Sequence, residues 1–266
     1  MSASLLSLHA VSKNFGGLAV ISDVSFDVPQ GSRTALIGPN GAGKTTIFNL
    51  ISGVFAPSEG EIRLEGQTID ALPSRSRIGL GIARSFQNIR LMPHLSVVEN
   101  VMLGQQSRAG NLAGMLTPLS LFGRSKYRRE AEDLLESMGL STYPGEVVAT
   151  LPYGIRKKIE VVRALVAKPK ILLLDEPAAG LNNTETANLR DFLMTISQSG
   201  VTLLVVEHDM SLVRSLCDHA VVLNFGRKIY DGSTRTVQED PAVLEAYLGT
   251  RQAEKTRNQA EADHVA

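Results

Sequence analysis

The residues most clearly able to do chemistry are those at positions 38–46, GPNGAGKTT. They lie between the apolar segment TALIG and the helical pattern IFNLISG. In a strand, glycine-rich turn and helix of this kind, backbone N–H groups converge on a polyphosphate at the positive end of the helix. Lys44 would reach the β and γ phosphates, and the Thr45 hydroxyl would bind Mg²⁺. A chance glycine turn is the weaker interpretation, because pattern and context agree. The nucleotide contacts predicted in this phosphate loop are Gly38, Pro39, Asn40, Gly41, Ala42, Gly43, Lys44, Thr45 and Thr46.

A second set of candidate residues ends the apolar segment ILLLDEP, at positions 171–177. A buried parallel strand delivers the residues at its carboxyl end to the edge of the sheet where open α/β folds bind ligands. Asp175 would therefore belong to the Mg²⁺ shell, and Glu176 would orient or deprotonate a water molecule in line with the γ-phosphate. An acidic helix cap after a core strand is the alternative for this pair taken alone. The upstream phosphate loop favours the catalytic interpretation.

Two further polar residues follow strand-like segments. His208, in VVEHD, stands just past an apolar run and would contact the γ-phosphate and the attacking water. Gln87, in ARSFQNIR, would complete the metal and water shell. A lone histidine is usually only a hydrogen-bonded loop residue, and an exposed glutamine carries no information by itself. Their positions after strands are what make both residues candidates.

The segments around these motifs predict an α/β fold. Alternating patterns within 5–38, such as VSFDV, and the later EGEIRLEG indicate half-buried strands of a small, partly antiparallel β region. The later apolar runs KILLLD, VTLLVVE and HAVVLN alternate with helical patterns, which is typical of parallel βαβ units. Helical spacing over about 93–168 predicts an inserted helical subdomain. The tail at 251–266 has almost no large apolar residue and is predicted to be disordered, so that 1–250 would form one domain.

Composition excludes several classes of protein. The chain has 266 residues, and its 27 Lys plus Arg balance 27 Asp plus Glu, so no overall positive field would attract nucleic acid. Cys217 is the only cysteine, which leaves neither a disulfide framework nor a cysteine metal cluster. The first residues lack the basic and apolar regions of a signal peptide, and no apolar run approaches the roughly 20 residues needed to cross a bilayer. We therefore expect a globular protein that does not itself span a membrane.

Taken in order, these motifs resemble those of the ATP-binding-cassette (ABC) ATPase subunits of transporters, over nearly the whole chain. The resemblance implies an α/β fold with a P-loop NTPase, RecA-like core, a parallel sheet, a small antiparallel β subdomain and an inserted helical subdomain. It also implies ATP and Mg²⁺ as ligands. The catalytic residues that it carries over are Lys44, Gln87, Glu176 and His208, and the metal ligands are Thr45, Gln87 and Asp175.

Each motif has a counterpart in that family. GPNGAGKTT is similar to the Walker A loop, Gln87 to the Q-loop, ILLLDE to Walker B with the catalytic glutamate, and His208 to the switch histidine. Phe15 takes the place of the aromatic residue that stacks on adenine. The segment AAGLN, 178–182, resembles the D-loop but has Asn182 where aspartate is usual, which makes its contacts between subunits less certain.

The segment LPYGI, Leu151 to Ile155, resembles the family's signature least regularly. That signature is usually Leu-Ser-Gly-Gly-Gln, at the start of a helix that faces the nucleotide held by the opposite subunit. Leu151 and Gly154 are kept, whereas Pro152, Tyr153 and Ile155 are replacements. Backbone N–H groups and the helix dipole survive the changes, but the serine hydroxyl is lost. We predict a modified signature in which Leu151, Pro152, Tyr153 and Gly154 meet the partner's nucleotide and leave that site weakened; an ordinary helix start is the alternative.

The subgroup with the most similar motifs is the ATPase of branched-chain amino acid importers, of the larger of its two paralogous types. FGGLAVISDVSF, ARSFQNIRLMPHLSVVENV, VVEHDM and DPAVLEAYLG carry this resemblance. It implies two transmembrane permease subunits and a second ABC ATPase subunit, in a heterodimer or alternatively a homodimer. It also implies an indirect link to a solute-binding protein, no nucleic acid, and a peripheral location at the cytoplasmic face of the inner (cell) membrane.

Other functions stay open at this point. Related cassettes serve urea, aromatic acid or lipopolysaccharide transport. A cassette ATPase acting on ribosomes or DNA would normally have two cassettes or a long coiled-coil insertion, and the sequence shows neither. A kinase or GTPase would have a lid or an N-K-x-D motif; the sequence has no N-K-x-D, and DEPAAGLN followed by EHD does not fit that class. A non-enzymatic nucleotide sensor remains the alternative if the altered signature disables hydrolysis.

Overall fold

The computed structural model describes residues 4–85, 89–105 and 126–248. Within these ranges, ten strands form two sheets, and helices cover both faces of the larger one. The strands are β1 Ser4–Phe15, β2 Leu18–Pro29, β3 Arg33–Ile37, β4 Glu59–Leu64, β5 Gln67–Thr68, β6 Ile82–Arg84, β7 Ile171–Asp175, β8 Thr202–Val206, β9 His219–Asn224 and β10 Arg227–Ser233. The helices are α1 Lys44–Ile51, α2 Ser74–Gly79, α3 Val97–Leu103, α4 Lys126–Ser137, α5 Tyr153–Leu165, α6 Asn183–Gln198, α7 Met210–Leu216 and α8, 241–248, with a 3-10 turn at Val148–Thr150.

The two sheets confirm the predicted α/β class. The smaller sheet is antiparallel, in the order β2-β1-β4-β5. The larger has the order β10-β9-β3-β8-β7-β6, and its strands from β9 to β6 run parallel, with β10 antiparallel at the edge. One detail of the prediction is wrong: β3, within the segment 5–38 assigned to the antiparallel region, lies in the parallel sheet. Four of its five residues are buried, as a strand covered on both faces requires.

The central strands send alternate side chains into two separate cores. In β7, Leu172 and Leu174 join the helices α5 to α7, whereas Ile171 and Leu173 face α1 and the antiparallel sheet. Because both sets are fully buried, the strand appears in the sequence as a continuous apolar run rather than an alternating one. Packing on both faces therefore holds the sheet in place, and with it the residues at the ends of its strands.

Arg77, in α2, ties α1 to the rest of the structure. Its side chain is fully buried, and its guanidinium donates to the carbonyl oxygens of Leu50 and Ile51, which end α1. It also donates to the carbonyl oxygens of Asp70 and Leu72, at 3.0 and 2.9 Å. The last turn of α1 has no basic residue of its own, so Arg77 supplies its cap from a distant element.

The segment predicted as a helical subdomain, about 93–168, contains α3, α4, the 3-10 turn and α5 in its described part. Ser96 and Glu99 form a capping box at the start of α3. Residues 106–125 of this segment and the predicted tail, 251–266, lie outside the described residues, so the domain boundaries stay a prediction. In the ranges that the structure describes, no helix is long and apolar enough to cross a membrane.

Candidate nucleotide site

The predicted catalytic segments meet at one edge of the large sheet. β3, β8 and β7 are neighbouring parallel strands, so the residues that follow each of them emerge side by side. The phosphate loop follows β3, Glu176 follows Asp175 at the end of β7, and His208 follows β8 after one residue. The sheet thus brings together groups that lie up to 170 residues apart in the chain.

The phosphate loop needs glycine at two positions for steric reasons. Gly43 has φ of 102°, and a Cβ there would collide with the Ile21 side chain. Gly38 has φ of 150°, and a Cβ there would collide with the backbone oxygen of Leu223. The loop is held against β2 and the turn after β9 at these points, and Gly226 N donates to Ala42 O at 3.1 Å. Its shape is therefore set by its surroundings before any ligand arrives.

Lys44 begins α1 and folds back over the loop. Its ammonium group donates to the carbonyl oxygens of Gly38 at 2.7 Å and Pro39 at 3.0 Å. Burial lowers the pKa of Lys44, while the nearby carboxylates of Glu176 and Asp175 act in the opposite direction. No side chain caps the start of α1 and no acidic residue lies in its first turn, so its first N–H groups face the loop. This cradle fits an anion with several oxygens.

Asp175 has a partner that the sequence did not reveal. Its Oδ2 accepts from the Arg84 guanidinium at 2.7 Å, and only 11% of each side chain is exposed. Arg84 ends β6, and it also donates to Asn49 Oδ1 in α1 at 2.7 Å. The carboxylate thus belongs to a buried cluster of polar side chains and is not a helix cap. It lies near Lys44, where its charge opposes the lowering of the lysine pKa by burial.

Glu176 and His208 face each other across the sheet edge. The His208 Nδ1 lies 4.0 Å from Glu176 Oε2, and the histidine side chain is 67% exposed. Glu176 has φ of 46°, a left-handed conformation that is uncommon for a residue with a side chain, and its N–H donates to Val206 O at 2.9 Å. An acid and an imidazole therefore converge next to the phosphate loop, which is an arrangement able to orient water.

The sequence profile described as "ABC transporter" matches residues 21–179. The chain belongs to the ABC transporter family. It is the ATP-binding subunit of such a transporter and couples the hydrolysis of ATP to transport. Its partners are membrane permease subunits. The recognition from sequence motifs is thereby confirmed.

Individual relatives cover almost the entire chain. The "High-affinity branched-chain amino acid transport ATP-binding protein BraF" of Pseudomonas aeruginosa is 38% identical over 94% of this chain and 99% of its own length. The LivG protein of Escherichia coli strain K12, which bears the same description, is 37% identical with the same coverage. The "Lipopolysaccharide export system ATP-binding protein LptB" of Haemophilus influenzae is 31% identical over 92% of this chain and 98% of its own length.

Solved structures support the same family. A nucleotide-free ATP-binding cassette from an ABC transporter superposes with a TM-score of 0.81 at 28% identity, covering 92% of this chain and 99% of that chain. The ADP conformation of MJ1267, also an ATP-binding cassette, gives a TM-score of 0.82 at 29% identity, covering 93% of this chain and 100% of that chain. The ABC cassette fold therefore extends over nearly all of this protein.

Phe15, the predicted adenine-stacking residue, lies at the tip of the β1–β2 hairpin and is 38% exposed. Its ring packs edge to face on Phe55, with centroids 5.0 Å apart, and the Lys13 ammonium lies 5.1 Å from the Phe15 centroid. Phe55 follows α1, which starts at the phosphate loop. The predicted adenine contact therefore involves two packed aromatic rings, Phe15 and Phe55, where the sequence suggested Phe15 alone.

Tyr153 and Gly154 begin α5, the helix of the predicted signature, and Pro152 is its N-cap, without a side-chain hydrogen bond. The Tyr153 hydroxyl donates to Ala179 O at 3.4 Å, and a Cβ at Gly180 would lie 3.3 Å from its ring. The tyrosine of the predicted signature therefore lies against the predicted D-loop of its own chain. Ile159, Val162 and Val166 are buried and Ile155 is partly buried, so one face of this segment packs into the core.

Asn182, the unusual D-loop residue, caps helix α6. Its Oδ1 accepts from Glu185 N at 3.0 Å, and Glu185 Oε2 accepts from Asn182 N at 3.0 Å, which completes a capping box. An aspartate would cap this helix equally well, so the substitution removes a charge without removing the local structure.

Among the predicted site residues, Gln87 lies outside the described residues. Pattern reasoning missed Arg84, Phe55 and Glu207, which join the site through contacts between distant segments. The available signals were weak: Arg84 is a charge at the end of an apolar strand, and Glu207 is an acid directly before the switch histidine.

Proposed function

We propose that this ABC ATPase powers an importer of branched-chain amino acids or a related small solute, and that it hydrolyses Mg·ATP at the sheet edge. The observation that carries the catalytic part is the convergence of Lys44, Asp175, Glu176 and His208 beside one phosphate loop. The solute assignment is supported by the descriptions of relatives that are 37–38% identical over nearly the full length.

Each residue has a distinct proposed task. Lys44 exchanges its two carbonyl acceptors for phosphate oxygens and stabilises the charge that develops during cleavage. Glu176 accepts the proton of the attacking water or holds that water in line, and His208 helps to orient it. Thr45, Asp175 and Gln87 would hold Mg²⁺, which neutralises phosphate charge when it is bound. Phe15 would stack on adenine with about 1–3 kcal/mol of stabilisation.

The proposed assembly contains two permease subunits and a second ABC ATPase at the cytoplasmic face of the membrane, with a heterodimer favoured over a homodimer. The start of α5, with Leu151, Pro152, Tyr153 and Gly154, would meet the nucleotide of the second ATPase. A second candidate function is lipopolysaccharide export, because a relative with that description is 31% identical over most of the chain. The lower identity makes it the weaker proposal.

Reconstitution with its membrane subunits tests the proposal directly. We expect vesicles that contain the complex and a matching solute-binding protein to accumulate labelled leucine or isoleucine when ATP is present on the side of this subunit. EDTA should stop uptake by removing Mg²⁺. If urea or aromatic acids stimulated ATP hydrolysis and branched-chain amino acids did not, the proposed solute would be wrong and the transporter would serve another solute class.

Replacing Lys44 by alanine should weaken ATP binding. A hydrogen bond to a charged group contributes about 1.5–3 kcal/mol, so the dissociation constant for ATP should rise by about 10- to 150-fold. Fluorescence titration with a labelled ATP analogue measures this change. Lys228→Ala is the matched control, because Lys228 pairs with Asp231 on β10 at 2.6 Å. Equal affinities for the two variants would remove Lys44 from the proposed site.

Replacing Pro152 by serine should strengthen the partner's site. The N-cap of α5 lacks a side-chain hydrogen bond, and a serine would restore a hydroxyl for a phosphate oxygen. We expect the ATP concentration for half-maximal hydrolysis by the assembled pair to fall about tenfold for a regained bond of about 1.5 kcal/mol. Pro152→Ala is the control without a hydroxyl. If both variants behave alike, the hydroxyl argument is wrong.

A further inference from the structure

Glu207 lies between β8 and the switch histidine, and its side chain is almost fully buried, with 1% exposed. One carboxylate oxygen, Oε1, accepts from Ala178 N at 2.9 Å. The other, Oε2, accepts from His208 N at 3.2 Å. The same side chain therefore joins the start of the D-loop to the backbone of the switch histidine.

The hydrogen-bond pattern of Glu207 requires two acceptor atoms. Burial raises the pKa of Glu207, whereas the hydrogen bonds from Ala178 and His208 and the nearby imidazole act in the opposite direction. A buried carboxylate is costly to retain unless its oxygens are satisfied, and here each oxygen receives a backbone N–H group. A glutamine would have one acceptor and would turn its amide group toward an N–H donor.

The position of the imidazole links Glu207 to the catalytic glutamate. His208 Nδ1 lies 4.0 Å from Glu207 Oε2 and 4.0 Å from Glu176 Oε2, so the same ring nitrogen is equally distant from the two carboxylates. A carboxylate that accepts from the backbone N–H of a histidine fixes the point from which the ring extends toward a reacting group. Glu207 therefore holds the backbone of His208, and its charge lies beside the Nδ1 atom of the ring.

Lys157, in α5, is a further buried charged residue near Glu207, and only 3% of it is exposed. Burial lowers the pKa of Lys157, and the carboxylates of Glu160, Glu207 and Glu176 act in the opposite direction. The ammonium of α5 therefore lies in the field of both Glu207 and Glu176.

We propose that Glu207 is a positioning residue that holds His208 and the turn after Glu176 as one unit. The inference rests on the proposed roles of Glu176 and His208 and adds a third group that does not itself touch the substrate. Without the carboxylate, the imidazole would lose its orientation and the D-loop would lose the anchor at Ala178. ATP binding would change little, because the phosphate loop has its own contacts.

The test is a comparison of Glu207→Gln with the parent chain in the assembled ATPase. We expect the hydrolysis rate at saturating ATP to fall about 10- to 100-fold, as is usual when a group that orients a catalytic ligand is lost. The affinity for a labelled ATP analogue should stay within about twofold of that of the parent, because the phosphate loop that binds ATP does not depend on Glu207. Glu207→Asp keeps the charge but cannot span both N–H groups, so its rate should also fall. Glu239→Gln, on an exposed residue, is the control.

A double-mutant cycle separates orientation from general stabilisation. In a His208→Ala background, measured by single-turnover hydrolysis of labelled ATP, Glu207→Gln should cost much less than in the parent background, since the ring that it orients is absent and only the anchor at Ala178 is lost. An equal fold-loss in both backgrounds would overturn the inference. So would a Glu207→Gln rate within twofold of the parent while Glu176→Gln abolishes hydrolysis. If Glu176→Gln itself hydrolyses ATP at the parent rate, the proposed function fails instead.

Discussion

Glu176→Gln is expected to bind ATP like the parent chain and to hydrolyse it about 10²- to 10⁴-fold more slowly, the range that general base catalysis contributes. Glutamine has nearly the same shape, so the backbone conformation with φ of 46° and the hydrogen bond to Val206 O should persist. The amide cannot accept the proton of the attacking water. Binding and chemistry should therefore separate in this variant.

Slow hydrolysis should also change the association state. Binding of the γ-phosphate favours the closed pair of ATPases, and hydrolysis reverses that shift, so the variant should accumulate as a closed pair with ATP. Size-exclusion chromatography with and without ATP would detect the pair, and phosphate release would give the rate. Glu239→Gln provides a matched exposed control. A Glu176→Gln rate equal to that of the control would remove Glu176 from its proposed role.

Arg77→Ala is expected to lower the free energy of unfolding by about 3–5 kcal/mol, as removal of one partner from a buried charged hydrogen-bond group usually does. The change would remove a donor from the carbonyl oxygens of Leu50, Ile51, Asp70 and Leu72, of which Leu50 O keeps a bond from Gly53 N at 3.2 Å. The end of α1 would loosen first, because two of these carbonyls belong to its last turn.

Urea denaturation measures the effect, and a neighbour in the same helix provides the comparison. Arg75 also lies in α2 but is exposed, so Arg75→Ala should change stability by less than about 0.5 kcal/mol. Arg77→Lys keeps the positive charge but cannot present donors in a fixed planar fork, so we expect it to be intermediate. Equal midpoints for Arg77→Ala and Arg75→Ala would show that the cap contributes nothing.

The parts of the fold that follow from local pattern were predicted well. The run ILLL predicts a strand that is buried on both faces. The alternating segment VSFDV predicts a strand with one buried face, and the burial of Val24, Phe26 and Val28 confirms it. The same rule, applied more strictly to β3, would have placed it in the parallel sheet, because TALI is apolar without alternation.

The parts that the sequence left hidden depend on contacts between remote segments. Arg84 and Asp175 are 91 positions apart, and Glu207 and Ala178 are 29 apart, and no local pattern couples either pair. The packing of Tyr153 on Gly180 likewise became visible only when α5 and the D-loop were seen together. Such partners need the three-dimensional arrangement, whereas the phosphate loop carries its chemistry in nine consecutive residues.

The two carbonyl oxygens that Lys44 already engages set a threshold for the ions that this protein will retain. A small monovalent anion would have to draw the ammonium away from two neutral acceptors in exchange for a single contact. A chain of phosphate groups offers several charged oxygens at once, and a negative oxygen attracts the ammonium more strongly than a neutral carbonyl oxygen does. We therefore expect chloride, acetate and similar ions to compete poorly with a nucleotide for this loop.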